Sequence, residues 1–396
     1  MSDSASEKKR FIPVGQYKSP SLPTDETFRR FGSEIFSWFQ KKEEDPFIGS
    51  DSLSLVEGSE MDSVAPPPAW ASVLDEMTET FSEWVRDPAP ASAVQTVVLP
   101  PCDESDVVRL WAEQHDYVII EPPGRERLLL DEPLENLPSV EQEISQDEVG
   151  KIYVVPRLEE WFLRHRNGLN VVKQLLDFLA LFEGRCLVGC NSWAWDYLTR
   201  AVGAEMVLAR PLTFVAFDVQ RLRTWFVAMS DRSQSSHSTF RMAATGDDVF
   251  DCGKNGKPKD DFLQTLAARS CGIPWVAWHL WRSAIRAGST ESPSDHESHA
   301  FPEEKTLWIS ELQELSLPTG HREPALLILH ALLLHGSMTL HQLRLVLPSV
   351  DISNVIAALS SSGFVSRRSG LYRCAPSAYP DIRSSLKTAG FPTGLL

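Results

Sequence analysis

Val97-Val98-Leu99-Pro100-Pro101-Cys102-Asp103-Glu104-Ser105 is the stretch on which the reading of this chain turns. An apolar run of strand length stops at two prolines, and an acidic turn leads into Asp106 to His115, whose spacing predicts a helix. The same grammar repeats downstream. Tyr117-Val118-Ile119-Ile120 reads as a second strand ending at Pro122-Pro123, Lys151 to Val155 as a third, Arg185 to Val188 as a fourth and Val207 to Phe214 as a fifth. Leu169 to Phe182, with its leucine stripe, and Trp193 to Val202 read as helices between them. Short apolar strands alternating with helices predict a three-layer α/β core with a parallel sheet. Just upstream, Trp70, Val73, Leu74, Met77, Phe81 and Trp84 recur at helical spacing, which predicts an amphipathic helix against that core.

Beyond the fifth strand the texture becomes helical. Asp218 to Met229, Asp260 to Arg269 and Pro274 to Arg286 are predicted helices, the last opened by Gly272-Ile273-Pro274, with Pro where a helix start tolerates it. Ser230 to Lys259 is polar and reads as a loop, and Ala287 to Glu304 as a flexible linker. The C-terminal part reads as three helices (Pro324 to His335, Thr339 to Leu347, Ile352 to Ser362) and a hairpin, Phe364-Val365-Ser366-Arg367-Arg368 turning at Ser369-Gly370 into Leu371-Tyr372-Arg373. That pattern is a winged helix-turn-helix, with Asp381 to Ala389 as a closing helix. The acidic stretch Asp131 to Glu148 is read as partly helical. The expected organisation is a disordered N-terminal arm over 1–65, an α/β core over 66–215, a helical lid over 216–290, a linker over 291–321 and a winged-helix domain over 322–396.

Particular residues carry a family resemblance. Phe214-Val215-Ala216-Phe217-Asp218 leading to Leu222 and Trp225 looks like the end of a core and the start of a lid, and Leu266 to Pro274 like a lid helix pair with a Gly-x-Pro turn. Leu187-Val188-Gly189-Cys190-Asn191-Ser192 is similar to a strand ending in a polar sensor residue. In this order, over Gln95 to Phe391, they resemble the P-loop ATPases of the AAA+ and STAND groups, archaeal origin-recognition ATPases among them. The resemblance implies a γ-phosphate sensor at Asn191 and a nucleotide-sensing arginine among Arg282 and Arg286 of the lid helix, whose plain reading is packing against the acidic core domain.

The phosphate loop itself departs from the pattern. A P-loop has the form G-x-x-x-x-G-K-[ST], since glycines let backbone N–H groups face the phosphates, lysine neutralises them and the hydroxyl holds magnesium. Of these only the hydroxyl remains, as Ser105; two prolines remove amide donors and Glu104 stands at the lysine position. A carboxylate about 4 Å from a phosphate is repulsive by ~1 kcal/mol in water and by more at protein-like dielectric. The third strand, where the family carries a magnesium-holding Asp, runs instead into Pro156 and Arg157. Glu159 and Glu160 follow as displaced substitutes or as ordinary helix-start carboxylates. Cys252-Gly253-Lys254-Asn255-Gly256-Lys257 lies in a polar loop without a preceding strand and reads as chance composition. Asp103, Glu104, Ser105, Glu159, Glu160, Asn191 and Arg282 are therefore taken as remnants of a degenerate nucleotide site, with no catalytic residue and no cofactor expected. ATP with magnesium belongs to an alternative, an unorthodox site built from Glu159, Glu160, Asn191 and Arg282.

Other constellations carry a functional and a plain reading side by side. Arg164-His165-Arg166 reads as an arginine finger or as a salt-bridged surface. Cys186 and Cys190, four apart on a strand, lie roughly 13 Å apart along it, too far for one zinc ion unless the chain bends at Gly189. Trp275, Trp278 and Trp281 share a helical face and read as core. The predicted recognition helix, Asp351 to Ser362, has no positive charge, so Asn354, Arg367, Arg368 and Arg373 are the candidate nucleic-acid contacts.

The 396 residues carry a formal charge of −16, unevenly spread. Asp51 to Gly150 holds 23 acidic residues against 4 arginines, whereas Arg322 to Leu396 holds 7 basic against 3 acidic. The first segment repels nucleic acid and nucleotide phosphate. Six scattered cysteines, an N-terminus without an apolar leader and no long apolar run predict a cytoplasmic protein without a membrane span. The function expected is that of a non-catalytic pseudo-ATPase acting as a regulator or adaptor. Its expected partners are proteins, other ATPase-like subunits included; a DNA-binding regulator using the winged helix is the alternative.

Overall fold

Valine and isoleucine runs between proline, glycine and acidic stops settle into a six-stranded sheet in the computed structural model. It describes residues 10–21, 47–49, 53–56, 58–68, 70–87, 90–130, 151–232, 239–252, 261–288, 306–394 and 396. Through the core the elements run β1 (Phe11–Pro13), β2 (Leu53–Leu55), α1 (Gly58–Val64), α2 (Ala71–Arg86), β3 (Val94–Leu99), α3 (Val107–Gln114), β4 (Val118–Ile119), β5 (Ile152–Val155), α4 (Asn170–Leu181), β6 (Arg185–Asn191), α5 (Ser192–Val202) and β7 (Leu212–Phe214). Then follow α6 (Val219–Arg232), β8 (Thr239–Met242), α7 (Phe262–Arg269), α8 (Pro274–Ala284), β9 (Ile285–Gly288) and β10 (Thr306–Ile309). The last part holds α9 (Arg322–His335), β11 (Ser337–Met338), α10 (Leu340–Val346), α11 (Ile352–Ser361), β12 (Val365–Arg368), β13 (Leu371–Cys374) and α12 (Tyr379–Thr388).

The chain forms two compact units. One gathers Met1–Lys18, Trp70–Val215 and Leu315–Leu396; the other gathers Ser19–Ala69 and Ala216–Glu314. In the first, the strand order is β1-β7-β3-β6-β5-β4, parallel throughout except for β1, which runs antiparallel along β7. Four consecutive residues of β3 and six of β6 are buried, so both faces of the sheet are covered, as parallel sheets require. This is the three-layer, P-loop-like core that the sequence predicts. The expected amphipathic helix is α2, which buries Val73, Leu74, Met77, Phe81 and Trp84. Phe81 meets Trp111 of α3 at 5.9 Å, tying α2 to the crossover helix. Within the stretch read as an arm, Phe11 to Pro13 is a paired edge strand: Phe11 is buried and lies opposite Phe214.

Glycine sits at the centre of β6 for a steric reason. A Cβ on Gly189 would collide with the carbonyl of Pro156 and press on Val108 of α3. Only a strand position without a side chain lets the chain leaving β5 pass this closely, and that passage places Arg157.

The winged helix belongs to the same unit. Helices α9, α10 and α11 precede a sheet of order β11-β13-β12, one strand more than the predicted hairpin. That extra strand, Ser337–Met338, is two residues long, too short for periodicity to signal. Thr339 opens α10 with a capping box to Gln342. Nine of the fourteen α9 residues are buried, because α9 packs on the winged-helix sheet and also against α5 of the core.

The second unit contains the three predicted helices, α6, α7 and α8, and a sheet of order β2-β9-β10-β8. The sequence reading placed loop where β8 stands, linker where β10 stands, and the end of a helix followed by linker where β9 stands. Each is four residues long, and β9 begins directly where α8 ends, so local pattern gives no boundary. Ile285, Leu307, Ile309, Phe240 and Met242 are buried on this sheet, with Phe240 and Phe250 against Trp281. Residues 131–150, 233–238, 253–260 and 289–305, on which the acidic helix and most of the loop and linker expectations fall, lie outside the described residues.

Candidate functional site

The carboxyl ends of β3, β5 and β6 meet at one place in the first unit, the position where open α/β sheets bind ligands. There the chain leaves β3 through Pro100 and Pro101, turns at Cys102 with φ of 65°, and enters α3. A helix start normally exposes amide hydrogens that attract anions. Here they are already taken. The Asp103 carboxylate accepts from the Ser105 N–H at 2.9 Å and the Val107 N–H at 2.8 Å. Asp106 accepts from the Arg109 N–H at 3.3 Å. The Ser105 hydroxyl accepts a 2.6 Å hydrogen bond from the Trp70 indole.

Arg157 is the cation of the site. Its Nε lies 3.0 Å from Asp106 Oδ2, and a terminal nitrogen donates to the Asp103 carbonyl at 2.6 Å. Burial opposes its charge, but Asp106, Asp103, Glu159 and Glu160 outweigh burial and hold its proton more tightly than usual. For Asp103 burial wins over Arg157 and the amide bonds, and its pKa moves up. Arg109 pairs bidentately with Glu121, at 2.6 and 2.7 Å, which draws the Glu121 pKa down. Glu104 faces Arg373 from β13 of the winged helix at 3.6 Å.

Glu159 and Asn191 form the floor. Glu159 is 5% exposed, accepts from the Asn191 N–H at 3.0 Å, and is pushed by burial up to about 7 against the pull of Arg157. The Asn191 side-chain carbonyl caps α5 through the Ala194 N–H at 2.8 Å. That bond fixes the orientation of the amide, and its Nδ2 has no partner although the residue is 6% exposed. An unsatisfied buried donor of this kind costs about 1–3 kcal/mol. A crevice of about 340 Å³ opens above this floor, roofed on the winged-helix side by Leu332, Leu333, Gly336 and Ser337. That volume falls at the lower end of small-ligand pockets.

Of the residues singled out from sequence, Asp103, Glu104, Glu159, Glu160, Asn191 and Arg373 line this crevice together. Ser105 is beside it but engaged with Trp70. Arg282 lies in the second unit, where it donates to the Ala65 carbonyl at 2.9 Å and Asp62 at 2.7 Å and covers Trp278. On the winged helix, Asn354 donates to Asp351, Arg367 lies over Tyr372, and Arg367 and Arg368 are exposed, whereas Arg373 is turned toward Glu104. Sequence reasoning missed Arg157, Asp106 and Arg109 as site residues. A lone arginine just after a buried strand end, close to an acidic turn, was the available signal for Arg157.

Arg164 meets the winged helix too: its backbone N–H donates to His335 Nε2 at 3.2 Å, and its side chain is 3.1 Å from His330 Nδ1. Cys186 and Cys190 are buried on β6, and burial raises both thiol pKa values. Among the described residues no group of three or more His, Cys, Asp or Glu side chains could hold a metal ion, and no helix is long and apolar enough to cross a membrane.

No family model matches the sequence, and no curated protein matches it. Among solved structures the chain is similar to Cdc6p from Pyrobaculum aerophilum, with 12% identity, a TM-score of 0.34, and coverage of 85% of this chain and 99% of that one. It is also similar to the ORC2 protein of Aeropyrum pernix in its ADPNP–ADP complexes (11% identity, TM-score 0.36, 81% and 95% covered). A third is the Aeropyrum pernix ORC1 protein in complex with DNA (13% identity, TM-score 0.31, 84% and 97% covered).

Proposed function

We propose that this chain is a non-catalytic member of the P-loop ATPase type, a pseudo-ATPase that acts as a regulatory or adaptor subunit through protein contacts. The observation that carries the reading is the Asp103 carboxylate on the Ser105 amide ahead of α3 and on the Val107 amide that opens it. The hydrogen-bond donors and the positive end of the helix dipole, which would otherwise draw a phosphate, are neutralised from within the chain. Glu104 and Asp106 add negative charge at the same place, and the half-buried Arg157 is committed to Asp106 and the Asp103 carbonyl. With its local cation spent and its amides capped, the site offers a nucleotide triphosphate repulsion rather than a cradle.

Calorimetric titration with ATP and magnesium, beside a turnover assay, tests this. Neither heat nor hydrolysis is expected. Micromolar binding, or turnover that is lost on Ser105→Ala or Glu160→Gln, would sink it. The adaptor role makes a separate claim, that capture of protein partners by the full chain is the same with and without ATP; nucleotide-dependent capture counts against it.

A second reading, a DNA-binding regulator, draws support from the exposed Arg367 and Arg368 at the tip of the wing. It requires duplex binding that weakens with salt and weakens further in the Arg367→Ala, Arg368→Ala double variant. Unchanged binding in that variant removes the wing from consideration.

A further inference from the structure

The crevice that no longer suits a phosphate has the chemistry of a different ligand. Five carboxylates line it, from Asp103, Glu104, Asp106, Glu159 and Glu160, against three guanidinium groups. Two of the arginines are committed, Arg157 to Asp106 and Arg109 to Asp106 and Glu121, while Arg373 faces Glu104 at 3.6 Å with its Nε left without a partner. On the acidic side, Asp103 is spent on amides and Asp106 on two arginines. Glu160 is different. It is half-buried and acts on Arg157 and Arg125 through space, with no hydrogen bond to either. Beside it, Glu159 uses one oxygen to accept from the Asn191 N–H.

The second observation is independent of charge. Asn191 is more than nine-tenths buried, lines the crevice, and has its amide orientation pinned by the bond to Ala194, which leaves Nδ2 as a donor in need of an acceptor. A bare cation would satisfy the carboxylates and leave that donor orphaned, and a bare anion would satisfy the donor against a surplus of negative charge. A ligand carrying both features answers both demands at once. The roof of Leu332 and Leu333 offers an apolar surface for a short aliphatic stem.

We propose that the crevice binds a small organic cation bearing a carbonyl or hydroxyl acceptor, with Glu160 and Glu159 holding the ammonium or guanidinium group and Asn191 Nδ2 donating to the acceptor. The proposal rests on the reading that nucleotide phosphate is excluded from the same place. It extends that reading by making the pseudo-ATPase responsive to a different class of small molecule. The charged groups facing Glu159 are Arg157, Glu160 and Arg125, with the neutral His335 arriving from α9. Because burial holds the Glu159 carboxyl up at about 7, a cation seated beside it at slightly acid pH drives off the Glu159 proton.

The probe is L-argininamide, which carries two cationic groups and an amide carbonyl but no carboxylate, titrated into the full chain by calorimetry in two buffers of different ionisation enthalpy. Saturable binding is expected, with proton release that disappears in Glu159→Gln, and with affinity at least about tenfold lower in Glu160→Gln. Butylguanidine, which lacks the acceptor, should bind about tenfold more weakly than argininamide. No saturation at about 10 mM argininamide, or equal affinity in Glu160→Gln, overturns the proposal. ATP with magnesium and inorganic phosphate are titrated in parallel. If they bind, it is the pseudo-ATPase reading that fails; if nothing binds, only the cation site does.

Discussion

Asp103 places a carboxylate of the chain itself on the turn that leads into α3. A carboxylate that bonds the Ser105 and Val107 amides does locally what a helix cap does anywhere, and replacing such a cap costs about 1–2 kcal/mol. Denaturant unfolding of Asp103→Ala should therefore show a loss of that size, while Glu104→Gln, whose Arg373 partner is partly solvated, changes little. Glu159 works in the opposite sense. Its carboxyl is raised by burial to about 7 in the folded protein, so folding takes up its proton. Its destabilising effect is absent below the ordinary carboxylate pKa, grows as pH rises, and is complete above about 7. Glu159→Gln, which keeps an oxygen for the Asn191 N–H, is expected to raise the thermal midpoint at about pH 8 and leave it nearly unchanged at about pH 4. An equal shift at both pH values would show that ionisation of Glu159 is not the cause.

At the scale of elements, α9 is where the winged helix meets the core. It brings two histidines to arginines of the core: His335 accepts from the Arg164 backbone, its carbonyl accepts from Arg125, and His330 lies against the Arg164 side chain. Burial first, and Arg164 second, pull His330 down to about 4; burial and the neighbouring Arg125 and Arg164 take His335 well below its ordinary value. Both are neutral in the folded protein at pH values where the unfolded chain would already be protonated. Their packing thus contributes full stability above about pH 6.5 and loses it as pH falls toward 4. Unfolding free energy followed across that range should decline on acidification, and His330→Gln should flatten the decline. A slope unchanged by that substitution would place the acid sensitivity elsewhere. Phe162, tilted against His335 at 4.8 Å, and Trp193, edge-on to His330 at 5.7 Å, complete the apolar surroundings that keep these rings uncharged.

For the whole molecule, the acidic excess and the capped site act in the same direction. A protein carrying −16 attracts polyphosphates only where local cations are free to meet them, and at the ends of β3, β5 and β6 the arginines are engaged with acids of the same chain. A ligand whose Kd is about a thousandth of its working concentration would stabilise the fold by about 4 kcal/mol. Millimolar ATP with magnesium is accordingly expected to leave the thermal midpoint of the full chain where it was. A rise of several degrees would count against the proposed function directly.

The sequence by itself determined the parallel α/β core, the three helices after it, the winged helix and the departure of the stretch after β3 from the G-x-x-x-x-G-K-[ST] pattern. Each rests on local pattern: strand-length apolar runs, helical spacing, and the identities of Pro100, Pro101 and Glu104 read against a contiguous motif. What only the tertiary structure decided is where charges and donors end up. Arg157 lies about fifty residues along the chain from Asp103 and Asp106, and it becomes a half-buried cation of the site because Gly189 lets the chain leaving β5 pass over β6. Arg373, read from sequence as a wing contact for nucleic acid, turns to Glu104, and His335 reaches Arg125 across 210 residues. The short strands β8, β9 and β10 likewise exist through partners distant in sequence. Periodicity reports which face of an element is apolar. It carries no information on which distant element that face, or a charge beside it, will meet.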